Sequence, residues 1–199
     1  LRGLNGSQKS PDPAIPLSFP DRIASFPVVL RTFKVADAPR VAELCGDWDV
    51  ARMTALIPHP YSLEMAESFI AACREACESG RAPTYAIARA EDGVLVGAIG
   101  ITSVPDAGDS LGYWIGKPHW GNGYATAAAR AMLALAFSHV GIDVLTAIHL
   151  VRNPASGRVM AKCGMAEMHR EMRPHRGKVE EFRVWRIDAD AWERAAERT

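Results

Sequence analysis

YWIGKPHWGNGYAT, residues Tyr113 to Thr126, runs directly into the apolar segment AAARAMLALAF. The pattern predicts a strand, a short loop carrying Pro118, and a loop of small residues that opens a helix near Gly121. The first turn of a helix leaves backbone N–H groups without partners, and they converge at the positive end of the helix dipole. Gly121 and Gly123 put no side chain between a ligand and those donors, and Ala125 intrudes little. Strand, glycine turn and helix start in this order make a seat for an anion.

Two known phosphate loops do not fit. A P-loop needs Lys and then Ser or Thr after its last glycine, whereas Gly123 is followed by Tyr124 and Ala125. The dinucleotide fingerprint wants a smaller residue where Thr126 stands, and an acidic residue ending a strand about 20 residues further on. The chain meets neither condition.

With 199 residues, the chain is long enough for one domain with a sizeable core. Hydrophobic residues make up 48%, and 23 Lys plus Arg balance 23 Asp plus Glu, so neither nucleic acid nor a membrane is expected as a partner. The longest apolar run, Ala125 to Phe137, is broken by Arg130 and is too short to span a bilayer. The N-terminal stretch has no hydrophobic signal core, and a cytoplasmic location is expected. Cys45, Cys73, Cys77 and Cys163 form no CxxC pair and have no His at ligand spacing. They read as reduced, buried thiols, and no metal is expected.

Residues 1–25 are rich in Pro, Ser and Gly without periodicity and read as a disordered tail, leaving 26–199 as a single domain. Phe26 to Phe33 is the first strand candidate, and Asp37 opens a helix ending at Gly46. Trp48 to Tyr61 reads as a short helix and loop. Ser62 caps an amphipathic helix with Ala66, Phe69, Ile70, Cys73 and Cys77 on one face and Gly80 as its stop. Thr84 to Ala90 and Val94 to Ile101 form a hairpin about Asp92-Gly93, and Ser110 to Gly116 adds a third strand after a turn at 105–108. The helix after the glycine loop runs to His139, with Gly141 as its stop. Val144 to Val151 is a strand and Pro154 to Cys163 a helix. Met165 to Arg170 and Glu181 to Ile187 are the last two strands, with a terminal helix from Asp188.

The glycine loop resembles the pyrophosphate loop of the GCN5-related N-acetyltransferases (GNAT), in which Gln or Arg is followed after two residues by Gly and then, one residue on, by Gly or Ala. Trp120, Gly123 and Ala125 stand at those positions. The string WGNGYAT is similar to the branch that acetylates ribosomal-protein N-termini, although Ala127 stands where that branch usually has Glu. A second block, Asn153, Pro154, Ala155 and Ser156 with Gly164 and Met165 beyond it, resembles the family's Asn-x-x-Ser/Tyr strand end and following helix. The element order agrees as well. The implied fold is α/β (α+β): a mixed, mostly antiparallel sheet flanked by helices and open between its fourth and fifth strands.

The resemblance implies acetyl-CoA as cosubstrate in that opening. Backbone groups of Tyr113, Trp114 and Ile115 would pair with the pantetheine, and N–H groups of Gly121, Asn122, Gly123, Tyr124, Ala125 and Thr126 would hold the pyrophosphate. Asn153 would contact the cofactor arm, and Ser156 would serve as general acid to the sulfur. Capping of the helix at Pro154 is the plain structural alternative for both.

The implied reaction is direct attack of a primary amine on the thioester, with a protein or peptide N-terminus favoured and a small-molecule amine as the other acceptor class. The alternative reading is a non-catalytic acyl-CoA-binding or sensor domain; transfer of a longer acyl group is a third. His149 is the candidate base, four residues before Asn153 and sharing a strand face with Ala147 and Val151, with a hydrogen-bonded structural histidine as the alternative. Trp48, His59 and Tyr61 fall where the family shapes its acceptor pocket, with packing as the alternative and no catalytic role expected. Arg170, Arg173, Arg176 and Lys178, placed near a loop, form a basic cluster for an acidic acceptor or a solvated hairpin tip. A homodimer is compatible with the family.

Overall fold

The computed structural model describes residues 19–80, 83–104 and 108–196. In chain order these form β1 (Arg22–Ser25), β2 (Val28–Arg31), α1 (Ala38–Gly46), α2 (Trp48–Ala51), α3 (Leu63–Glu78), β3 (Thr84–Arg89), β4 (Leu95–Val104) and β5 (Gly108–Ile115). Then follow α4 (Tyr124–Leu135), β6 (Val144–Leu150), α5 (Pro154–Lys162), β7 (Ala166–His175), β8 (Lys178–Asp188) and α6 (Ala189–Ala196). One eight-stranded sheet runs in the order β1-β2-β3-β4-β5-β6-β8-β7. Every neighbouring pair is antiparallel except β5 with β6.

Alternation along the strands divides the core between the two faces. Leu30, Tyr85, Ile87, Ile99, Leu111 and Leu145 turn to the side covered by α4, where Ala128, Ala129, Met132 and Leu133 are fully buried. Ala86, Ala98 and Trp114 turn to the other side, against Val41, Leu44 and Cys45 of α1 and Ile70 and Cys73 of α3. Ser62 caps α3 as its sequence predicts, its Oγ accepting from the Met65 N–H at 3.3 Å. Among the described residues no helix is long and apolar enough to cross a membrane.

Three expectations need correction. The predicted strand Phe26 to Phe33 is a hairpin: β1 and β2 pair from Ser25–Val28 outward, and Phe26 lies at the turn, 90% exposed. Pro27 has no N–H for a ladder, so the chain turns there. The sheet therefore begins at Arg22, inside the segment read as tail; residues 1–18 lie outside the described residues, as do 105–107 of the predicted turn. The glycine-loop helix starts at Tyr124, three residues later than expected, because Gly121 and Gly123 both adopt left-handed backbone, with φ of 82° and 77°. Finally, β7 and β8 are longer than predicted and join through Arg176 and Gly177 alone.

Because Ser25 Oγ donates to the Ala127 carbonyl at 3.0 Å and Tyr85 Oη to the Pro20 carbonyl at 2.9 Å, the first hairpin is tied to α4 and to the core. A chain beginning at residue 26 is expected to lose about 2 kcal/mol or more relative to one beginning at residue 19, as Ile23 leaves the core and β2 becomes an edge. Urea unfolding of the two chains measures the difference.

Candidate active site

β5 and β6 share just two register pairs, Asp109–Leu145 and Ser110–Thr146, reinforced by the Thr146 hydroxyl donating to the Asp109 carbonyl at 3.0 Å. Beyond Ser110 the strands diverge. β5 stays paired with β4 through Ile115, and β6 with β8 through Leu150, so the side of each strand that faces the gap has no strand partner there. Tyr113, Trp114 and Ile115 lie on the open stretch of β5.

The chain leaving β5 is braced into one shape. Trp120 Nε1 donates to the Ile115 carbonyl at 2.7 Å, and the Asn122 amide donates to the carbonyls of His119 and Trp120, each at 3.2 Å. Arg40 donates to His119 Nε2 at 2.8 Å; a guanidinium can only donate, so that imidazole accepts and is neutral. Burial, and then the charge of Arg40, hold the His119 pKa down.

Gly123 in its left-handed conformation begins α4 with no side-chain cap and no acidic residue in the first turn. The helix ladder starts with the Ala127 N–H on the Gly123 carbonyl, at 3.1 Å. The N–H groups of Tyr124, Ala125 and Thr126 are thus the unsatisfied helix donors of that turn. The space that a Cβ on Gly121 or Gly123 would enter is open.

Across the gap, Tyr113 Oη and Ser156 Oγ are hydrogen-bonded at 2.8 Å, joining β5 to the start of α5. Burial raises the Tyr113 pKa to about 12, so the phenol keeps its proton. Asn153 does cap α5: its Oδ1 accepts from the Ser156 N–H at 3.3 Å and orients the residue that carries the hydroxyl.

Residues 28–166 match the family described as acetyltransferase (GNAT) domain. The chain belongs to the GNAT acetyltransferase family. It is 27% identical over 139 residues, 69% of this chain and 78% of the relative, to the uncharacterized N-acetyltransferase YoaA of Bacillus subtilis. Its fold is similar to that of Mycobacterium smegmatis RimJ in complex with CoA-disulfide, at a TM-score of 0.73 and 22% identity over 86% of this chain and 88% of that one. It is also similar to the ribosomal-protein-S5-alanine acetyltransferase of Vibrio fischeri, at a TM-score of 0.74 and 16% identity over 86% and 98% of the two chains.

In this GNAT domain His149 faces the helix side of the sheet, 5% exposed, with Nδ1 on the Leu150 carbonyl at 2.8 Å. Its Nε2 has no hydrogen-bond partner among the described residues and lies 2.9 Å from where a Cβ on Gly157 would sit. Trp185 is beside it, ring centroids 6.1 Å apart. Burial holds the His149 pKa down, with Arg183 adding to the effect and Glu167 opposing it. An imidazole sealed under α5 cannot meet an incoming amine, so the geometry gives the candidate base a packing role. Burial raises the Cys163 thiol to about 11, which removes it as a nucleophile.

The basic cluster is not a free patch either. Arg170 lies within 3.8 Å of Glu167 and 3.7 Å of Glu181, and Arg173 is paired with Glu171. Arg176 is bound to the carbonyls of Ala51 and Ile57. Glu167 and Glu171 are near neighbours in sequence, whereas Glu181 across the ladder and carbonyls more than 100 residues away are invisible to local composition.

Two outcomes follow from this geometry. Gly123→Ala sets a Cβ on left-handed backbone at a cost of about 1–2 kcal/mol and tilts the first-turn donors; calorimetry is expected to show acetyl-CoA binding weakened about tenfold in a folded protein. His149 has a folded pKa below its ordinary value, so its contribution to stability is complete above about pH 6.5 and is lost as the pH falls. Denaturation midpoints of the wild type are expected to drop between about pH 7 and about pH 5, and His149→Leu to flatten that slope.

Proposed function

We propose that the protein transfers acetyl from acetyl-CoA to a primary amine by direct attack, with a protein or peptide N-terminus favoured over a small-molecule amine. The observation that carries the reading is the uncapped first turn of α4 at the mouth of the β5–β6 gap, with the Tyr113–Ser156 hydroxyl pair bridging it.

Acetyl-CoA supplies the activated thioester and a thiol leaving group. The N–H groups of Gly121 to Thr126 are suited to the pyrophosphate, because the helix start presents donors, left-handed glycines leave room, and no carboxylate in the first turn opposes an anion. The open stretch of β5 from Tyr113 to Ile115 offers its backbone to the pantetheine amides as a strand would. Asn153 sets the turn that brings Ser156 to the gap. The amine nitrogen forms the new C–N bond as the C–S bond breaks; the Ser156 hydroxyl gives its proton to the departing sulfur while taking one from Tyr113, solvent accepts the proton shed by the nitrogen, and solvent returns one to Tyr113, which so ends protonated.

A strong base is not required for an α-amine. Its pKa of about 8 leaves a useful neutral fraction near pH 7, whereas a lysine amine at about 10.4 is almost wholly charged. The loss of His149 as a base thus favours an N-terminus as acceptor, and the S5-alanine acetyltransferase among the similar folds agrees with that class.

Incubation with acetyl-CoA and a panel of short peptides and primary alkylamines, followed by detection of free CoA thiol, is expected to show turnover on peptides with free N-termini. No turnover with any acceptor would overturn the reading. Ser156→Ala is expected to lower kcat about a hundredfold, and Tyr113→Phe about tenfold, with acetyl-CoA affinity retained in both.

A further inference from the structure

The segment after α1 crosses the open end of the gap on the face opposite α4. Val50 is buried among the α1 and α3 side chains, which fixes that face. Lys117, just past β5, binds Asp49 at 2.7 Å; Arg152, just past β6, donates to the Arg52 carbonyl at 2.7 Å and reaches Met53 Sδ at 3.3 Å. Both walls of the gap are thus tied to one strap of chain. With the donor seated on the α4 side, a thioester in the gap presents its other side to this strap.

Beyond the four-residue helix α2 the strap has little regular structure, and several of its carbonyls are bound by side chains distant in sequence. Arg176 donates to Ala51 at 2.8 Å and to Ile57, and His175 Nε2 to Thr54 at 3.0 Å, across separations of 119 to 125 residues. Glu180 ties the holders together, accepting from Arg152 at 2.7 and 3.2 Å and from His175 Nδ1. Both ring nitrogens of His175 thus face acceptors, one on the hub carboxylate and one on the strap. The Arg152 guanidinium, foremost, holds the Glu180 carboxyl down at about 2, which keeps it an acceptor. Phe182 closes the buried side of the His175 ring, edge to face at 5.9 Å.

Arg176 stands at φ 50°, among the described residues the one non-glycine with positive φ, in a turn position that Gly, Asn or Asp ordinarily takes. Its guanidinium also lies over the Trp48 ring, 5.5 Å from the centroid, and Trp48 in turn contacts His59 at 5.0 Å. An unfavoured backbone carrying a side chain with this many partners points to a positioning role.

We propose that the β7–β8 hairpin positions the acceptor wall: His175, Arg176 and the Arg152–Glu180 pair hold the strap of residues 48–57 across the gap, and thereby set the binding of the incoming amine. The proposal rests on the donor occupying the α4 side, as in the proposed function. None of these residues touches the reacting atoms; they act through the strap.

Arg176→Gly removes the guanidinium while suiting the turn backbone, Glu180→Gln weakens the hub, and Arg176→Lys is the conservative control. Amide hydrogen exchange is read across residues 48–57, acetyl-CoA affinity by calorimetry, and steady-state kinetics with the best peptide of the panel. Expected are exchange in 48–57 and peptide KM both raised about tenfold in Arg176→Gly and Glu180→Gln, with kcat within about threefold, acetyl-CoA affinity unchanged, and partial recovery in Arg176→Lys. Unchanged exchange in 48–57 overturns the proposal whether or not any amine is consumed, as does an equal loss of donor and acceptor affinity. Absence of turnover in the wild type alongside loosened exchange in the variants counts against the proposed function and leaves the clamp standing.

Discussion

Everything at this site depends on β5 and β6 parting after two residue pairs. Each strand is held along its length by its other neighbour, β5 by β4 and β6 by β8, so the sheet survives the break. The backbone groups facing the gap still need partners, and water or an extended ligand can provide them. Parallel strands also require a crossover, here α4, and the crossover begins where the gap opens. The helix dipole and the unpaired strand edges are therefore two results of one topological choice.

The two faces of the gap are built differently. On the α4 side the groups are mostly backbone: the first-turn N–H groups, the open stretch of β5, and a loop braced by Trp120, Asn122 and Arg40. On the α2 side the geometry comes from charged side chains that bind the carbonyls of a segment with little ladder of its own. A backbone site tolerates change in sequence so long as small residues stay small, whereas a side-chain clamp is specific to its residues.

The turn that opens α4 was legible from the glycine spacing, since left-handed backbone at Gly121 and Gly123 and an uncapped helix start are local properties. For the Asn153–Ser156 block the structure shows the capping alternative, with Asn153 capping α5 and orienting Ser156. The first hairpin was misread because the apolar run from Phe26 hid the turn at Pro27. His149 shared its predicted face with Ala147, but alternation cannot say whether a face meets a cleft or a helix; Gly157 and Trp185 decided that. The basic stretch was open between an acidic acceptor and a solvated hairpin tip; its partners Glu167 and Glu171 are near in sequence, whereas Glu181 on β8 and the carbonyls of the strap are reached only by folding.

The sequence alone determined the order of elements from α1 onward, the glycine turn at the start of α4 and the order of the two motif blocks, because capping, turn chemistry and hydrophobic period act over a few residues. The tertiary structure decided the partners of Tyr113, His149, His175 and Arg176, because those contacts join segments 36 to 125 residues apart, brought together by sheet order. The glycine turn and helix start are written in local backbone rules and can be read from the string of letters. The clamp on residues 48–57 is written in long-range charge and packing, which exist only once the chain has folded.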